Sequence, residues 1–199
     1  ITAISLSAQM MEEHPSRDYL AQIHKQLGRL THLEEALLLL SRLDAGILPL
    51  KMEAVDVYTA VSLAADNLQE VFEAAGLSVD IPEMGEMKIL ADLDWTMEAL
   101  MNLFKNCAEY TPPGGRIHCA CSQNPLYTEI ILWDDGKGFD KEDIPHLFER
   151  FYRGKNASGN GIGIGLSLAR EIIERQNGTI RAVNLPGKGA AFEIRFYSH

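Results

Sequence analysis

The sequence lacks most of what would take it out of the ordinary folded class. Its longest apolar runs, such as Ala36 to Ser41, fall far short of the ~20 residues needed to cross a bilayer. No basic-then-apolar leader opens the chain. It does not begin with Met, so a fragment is expected, with any membrane anchor upstream. Basic residues are scarce: 18 Lys and Arg against 28 Asp and Glu, a net charge of -10. That deficit argues against long-range attraction to nucleic acid or anionic lipid, although a local basic patch can still bind a phosphorylated small molecule. Only 8 Pro and 16 Gly occur in 199 residues, which excludes collagen and Pro-rich linkers. Three cysteines allow at most one disulfide, and none sits in a CxxC pair or at zinc spacing, so they read as buried free thiols in a reducing compartment.

What is present divides in two. Ile1, Ile4, Ala8 and Met11 recur at helical spacing up to a break at His14 and Pro15. Ser16 can cap a second helix, whose stripe of Leu20, Ile23, Leu27, Leu30, Leu33, Leu37 and Leu40 holds steps of three and four until about Gly46. Helix, break and long helix read as a hairpin whose apolar faces need a second copy to form a four-helix bundle.

Beyond a boundary near residues 46–52, strands and helices alternate. The pattern predicts a short strand over 54–57, a helix over 58–75 closed by Gly76, and two strands, 77–81 and 87–90, around a turn. A helix over 95–109 starts near Asp92 or Asp94 and stops at Pro112-Pro113-Gly114-Gly115. Strands over 116–122 and 129–133, a short helix over 141–148, a helix over 166–176 and a hairpin of 179–183 with 190–196 complete the series. Paired strands with interposed helices predict an α/β sandwich, a mixed sheet with helices on one face, preceded by the helical hairpin.

Four segments can carry chemistry. Asn102 and Asn106 share a helix face and offer neutral groups, suited to Mg²⁺ or phosphate as well as to plain surface. Asp134 ends an apolar strand, where a carboxylate needs a partner; an adenine amino group would serve. Gly136 and Gly138 behind it let backbone approach a flat base, although a solvated turn has the same composition. Gly159, Gly161, Gly163 and Gly165 precede a helix, the arrangement of a phosphate cradle, yet they fit neither the dinucleotide fingerprint nor the P-loop. Between these lie Phe148 and Phe151, spaced to anchor one helical turn on the core, with Arg150, Arg153 and Lys155.

In this order and spacing the segments resemble the catalytic, ATP-binding domain of sensor histidine kinases, within the ATPase superfamily shared with gyrase, heat-shock-90 chaperones and mismatch-repair ATPases. Asn102 to Asn106 resembles the N box, Asp134, Gly136 and Gly138 the G1 box, Phe148 and Phe151 the F box, and Gly161, Gly163 and Gly165 the G2 box. Gly187-Lys188-Gly189 before Ala191-Phe192 resembles the closing glycine motif. The resemblance implies two domains: 1–48, part of a dimerisation and histidine-phosphotransfer hairpin, and 49–199, the catalytic ATP-binding domain. It implies ATP and Mg²⁺, with Asn106 on the metal and Asn102 near the phosphates. Tyr110 would pack beside the base or ribose, Asp134 would accept from adenine, and Gly136 and Gly138 would lie against the nucleotide. Arg153 and Lys155 would reach the phosphates, and Gly161, Gly163, Gly165 and Leu166 would cradle them. Catalysis would fall to Asn106, Asn102 and Arg153.

The implied partners are a second copy through the hairpin and the receiver domain of a response regulator, with no nucleic acid. The implied location is a cytoplasmic domain of a protein anchored in a bacterial inner membrane by upstream segments. The family's acceptor pattern, H-E/D-x-R/K-T-P-L, does not occur, and His14, His24 and His32 do not match it. The fragment is therefore expected to bind ATP without phosphorylating itself. Lys105, Glu109 and Ile162 depart from the residues common at their positions. The alternatives are an ATPase or serine kinase of the same superfamily, or a degenerate dimeric scaffold.

Overall fold

A computed structural model of the chain describes residues 17–46, 49–83, 85–154 and 162–198. The chain divides into two compact units, Ile1–Leu48 and Pro49–His199, each described here by itself.

In the first unit, α1 runs Arg17–Asp44, with the basic Arg42 in its last turn, where the helix dipole favours a cation. Gly46, at φ 67, takes the left-handed conformation just past its end. Of its leucine stripe, Leu40 is buried, while Leu20, Leu27, Leu30 and Leu37 stay exposed, as does Leu38 beside the stripe. The first arm of the expected hairpin, with His14 and Ser16, lies outside the described residues. No helix among the described residues is long and apolar enough to cross a membrane.

The second unit is a mixed α/β layer structure. Its elements are β1 (Glu53–Asp56), α2 (Val57–Asp66), α3 (Gln69–Ala75), β2 (Ser78–Asp80), β3 (Lys88–Ala91), α4 (Leu93–Tyr110), β4 (Arg116–Gln123), β5 (Tyr127–Asp134), α5 (Gly165–Arg175), β6 (Gly178–Asn184) and β7 (Ala190–Tyr197). The main sheet has the order β2-β4-β5-β7-β6, parallel only between β2 and β4. Strand β5 shows why one face must be covered: Thr128, Ile130, Leu132 and Asp134 are buried, while Tyr127, Glu129, Ile131 and Trp133 between them are half-buried. Phe192 and Ile194 of β7, Ile117 of β4, and Leu100, Leu103 and Phe104 of α4 complete the core, each at most 1% exposed. The opposite face carries charge pairs and stacked rings. Arg195 reaches Glu129 at 2.8 Å, Arg181 pairs with Glu193, and His118 stacks on Trp133 at 5.1 Å.

Several expectations need correction. The single helix over 58–75 is two: the amide of Asn67 folds back onto the Leu63 carbonyl at 2.7 Å, and the chain restarts as α3. The strands flanking 82–86 do not pair with each other, because β2 joins β4 while β3 joins β1 antiparallel in a separate two-stranded sheet. The helix over 141–148 is a set of turns around a 3-10 helix, Ile144–His146, with Pro145 inside it. Phe148 packs on Phe192 at 6.3 Å, but Phe151 is 56% exposed and does not anchor a turn on the core. Of the thiols, all free, Cys107 and Cys119 are buried and Cys121 is half-buried.

Candidate active site

Helix α4 supplies one wall. Asp92 caps its N-terminus, accepting from the Trp95 amide at 3.2 Å, so the helix begins after Asp92 rather than after Asp94. Its buried side faces the sheet and α5. Asn102, Asn106 and Tyr110 follow one another at intervals of four and therefore share a stripe. Asn102 is buried at 9% exposure; Asn106 and Tyr110 are half-buried, and Lys105 and Glu109 beside them are exposed. Among the described residues the Asn106 side-chain amide has no hydrogen-bond partner.

The second wall is the end of β5. Asp134 is 1% exposed. Its Oδ1 accepts from the Gly136 amide at 2.8 Å and the Ala190 amide at 3.3 Å. Burial raises this carboxyl above its ordinary value, the two amides pull it back, and Asp135 pushes it up again. A Cβ at Gly136 would lie 2.7 Å from both Asp134 Oδ1 and the Tyr110 carbonyl. This turn thus presses against the end of α4. Gly189 is tighter still: a Cβ there would overlap the Asp134 carboxylate and its carbonyl. Cys107, fully buried on α4, has its thiol pushed well up by burial and by the nearby Asp134 charge.

The third wall is the start of α5. A Cβ at Gly165 would stand 2.8 Å from Asn102 Oδ1, so the first turn of α5 meets the stripe on α4. Leu166 is half-buried in that turn, whose leading amides have no helical acceptor. Gly163, at φ 78, approaches the carbonyls of Phe151 and Tyr152, and its own carbonyl accepts from the Phe151 amide at 2.8 Å. Phe151 itself sits at φ 65, a conformation that costs a non-glycine residue about 1–2 kcal/mol. The Tyr152 hydroxyl donates to the buried Asp143 at 2.7 Å, which pushes the Tyr152 phenol up to about 12. Burial raises the Tyr110 phenol, Glu109 and Asp143 add to it, and the Arg153 guanidinium opposes them, so Arg153 lies within electrostatic reach of Tyr110. Lys155 and Gly161 lie outside the described residues.

Four separated segments therefore meet at one place. Segment 91–198 matches the family model described as histidine kinase-, DNA gyrase B-, and HSP90-like ATPase. The chain belongs to this ATPase family. It is 32% identical to the sensor protein SphS of Synechococcus elongatus over 207 residues, covering 96% of this chain and 50% of SphS. Its fold resembles that of the Acinetobacter baumannii histidine kinase AdeS, with a TM-score of 0.82, 22% identity and coverage of 98% and 93% of the two chains. It also resembles the histidine kinase ThkA, solved in complex with the response regulator protein TrrA, with a TM-score of 0.77, 18% identity and coverage of 100% and 57%. The chain spans about half the length of SphS, or less than half of other curated relatives it matches.

Three pins of this candidate site are not prominent in the sequence. Asn184 of β6 clamps the residue after Gly138: its Oδ1 accepts from the Phe139 amide at 2.8 Å and its Nδ2 donates to the Phe139 carbonyl at 2.9 Å. Gly138, at φ 82, leaves no room for a Cβ beside that amide. Gln176, 2% exposed, accepts from the Asp92 amide at 2.6 Å and fastens the end of α5 to the start of α4. Glu98 holds the Asn102 amide. Asn184 and Gln176 lie at or beside element ends and Glu98 inside α4, all of them polar residues for which solvation is the ordinary reading of the sequence.

Proposed function

We propose that this chain is the catalytic part of a sensor histidine kinase, which binds Mg-ATP and directs its γ-phosphoryl group to a histidine for relay to an aspartate of a response regulator. The observation that carries this reading is the Asp134 carboxyl itself, 1% exposed at the end of β5, with Oδ1 held by the Gly136 and Ala190 amides and with Gly136 and Gly189 packed too close to it to admit a side chain. A carboxylate held in place at the end of a buried strand is a specific acceptor for an exocyclic amino group. Tyr110 closes the same corner against the base or ribose. The leading amides of α5, with Gly163 and Leu166, receive phosphate, with Arg153 as the nearby cation. Gly161 and Lys155 extend the same phosphate-binding run in the sequence.

The donor set fits a magnesium ion. Among the described residues no group of three His, Cys, Asp or Glu side chains is placed to hold a metal, while Asn106 offers a free neutral amide oxygen. Such a site suits an ion carried in largely by phosphate oxygens. Bound there, the ion supplies neutralisation of phosphate charge. The protein's work in transfer is then placement and charge balance by Asn102, Asn106 and Arg153, with the imidazole nitrogen of the acceptor as nucleophile.

Residues 1–48 belong on this reading to a dimerisation and histidine-phosphotransfer hairpin, and 49–199 to the catalytic domain. The exposed leucines of α1 support pairing with a second copy, and the complex of ThkA with its regulator supports a receiver-domain partner. The whole protein is placed at a bacterial inner membrane through segments outside this sequence, with these units in the cytoplasm. Calorimetric titration with Mg-ATP tests the site: Asn106→Ala and Asp134→Ala should each lower affinity about a hundredfold while the protein stays folded. With γ-labelled ATP and a chain carrying the acceptor pattern, the label should be acid-labile and base-stable. Steady ATP hydrolysis without any acceptor would point instead to an ATPase, and a folded protein indifferent to Mg-ATP to a scaffold.

A further inference from the structure

Glu98 lies one helical turn before Asn102 and is half-buried, not freely solvated. Asn102 Nδ2 donates to the Glu98 carbonyl at 2.9 Å and to Glu98 Oε1 at 3.1 Å. Only an NH₂ group can satisfy two acceptors, so the nitrogen of Asn102 is committed to the Glu98 side. Its oxygen is thereby turned to Gly165 and the first turn of α5. A helix N-terminus draws anions, and an amide oxygen held beside it repels a bare phosphate but accepts a phosphate that arrives with a cation.

We propose that the Glu98 side chain is a positioning group that, with its own backbone carbonyl, locks the polarity of the Asn102 amide and so makes the site select metal-complexed over metal-free nucleotide. The proposal rests on the nucleotide-binding reading above. It assigns Glu98 no contact with the nucleotide. Its effect runs through which end of one amide faces the phosphates. A lysine at 98 removes the side-chain acceptor and sets a donor against the NH₂, leaving only the backbone carbonyl to hold it, which loosens the amide and lets its NH₂ turn part of the time to the site. A glutamine retains an acceptor and should hold the amide as the carboxylate does.

The test is calorimetric affinity of the full 199-residue chain for ATP with saturating magnesium and with EDTA, giving a ratio for each variant. Glu98→Lys should lower that ratio about tenfold, the worth of one hydrogen bond to a charged group. Glu98→Gln should stay within about twofold of wild type, because an acceptor remains. Asp94→Lys makes the same charge change on an exposed residue one turn earlier and should leave the ratio unchanged. In the nucleotide-free protein, the Asn102 side-chain amide protons should exchange slowly in wild type and in Glu98→Gln and quickly in Glu98→Lys. The proposal is overturned if Glu98→Lys leaves the ratio unaltered, if Asp94→Lys lowers it equally, or if Glu98→Lys weakens both affinities by the same factor. Wild type that binds ATP in neither condition would remove the nucleotide reading itself.

Discussion

The two units treat apolar side chains in opposite ways. In α1 many leucines stay on the surface, with Leu38 at 53% and Leu27 at 47% exposure, although Leu40 is buried. In the α/β unit the large core side chains, from Phe104 to Ile194, are covered by its own sheet and helices. Small exposed apolar residues are normal on any protein, but a stripe repeating along one helix is not. The comparison teaches that the second unit holds its own core, whereas the first leaves an apolar stripe exposed, the face that the proposed pairing with a second copy would cover. Nucleotide chemistry and assembly are thus open to separate disruption.

The largest expected effect lies within the α/β core. Phe192→Ala removes the ring against which Phe139 and Phe148 both pack and should destabilise that unit by about 3–5 kcal/mol, read as an early thermal transition, with α1 helicity retained. The reverse experiment puts charge on the helix. If the proposed pairing holds, Leu30→Glu with Leu37→Glu should convert a dimer to a monomer in sedimentation, each leucine contributing about 1.5–3 kcal/mol when covered, while ATP affinity stays at the wild-type value. A loss of ATP affinity in that variant would break the comparison. Gly189→Ala comes next: forcing a methyl group onto the buried Asp134 carboxylate should cost about 1–3 kcal/mol and also weaken ATP binding.

A smaller, pH-dependent effect sharpens the point. The Asp134 carboxyl is raised above its ordinary 3.8, so the folded protein holds that proton more tightly than the unfolded chain. Stability from this group is therefore fully present below the ordinary value and falls as pH rises through the raised one. Asp134→Asn should melt slightly higher than wild type at neutral pH, with the gap closing under acid conditions. Wild-type ATP affinity should decline on acidification before ordinary surface carboxylates titrate. The asparagine variant should melt well and bind ATP poorly throughout, a division between stability and function set by one buried acid.

Much of this fold was legible in the sequence because local rules decided it. The leucine stripe of α1, Gly76 at φ 66 closing α3, and the alternation along β5 each follow from period or backbone conformation. The misread parts depend on distant partners. Residues 82–86 have the composition of a hairpin turn, yet β2 takes Arg116–His118 as its neighbour and β3 takes Glu53–Asp56. The turns around 144–146 are held by the Asp140 carbonyl and side chain rather than by a helical repeat. Phe151 reads as a core residue until its backbone, tied to Gly163, turns it outward.

The candidate site divides similarly. Asp134, Asn102, Asn106 and the glycines stand out because a carboxylate ending an apolar strand, paired amides on one helix face and a cluster of glycines are unusual combinations. Glu98, Asn184 and Gln176 do not, since each becomes informative only once its acceptor or donor is known.

Gly189 and Asp134 also tie together the histories of two remote positions. While an acid occupies 134, drift at 189 is confined to the smallest residue, because any larger one collides with it. A descendant that abandoned the acid for something smaller would release that constraint. A bulky residue at 189 would then serve as a fossil mark of a pocket that had stopped recognising its base.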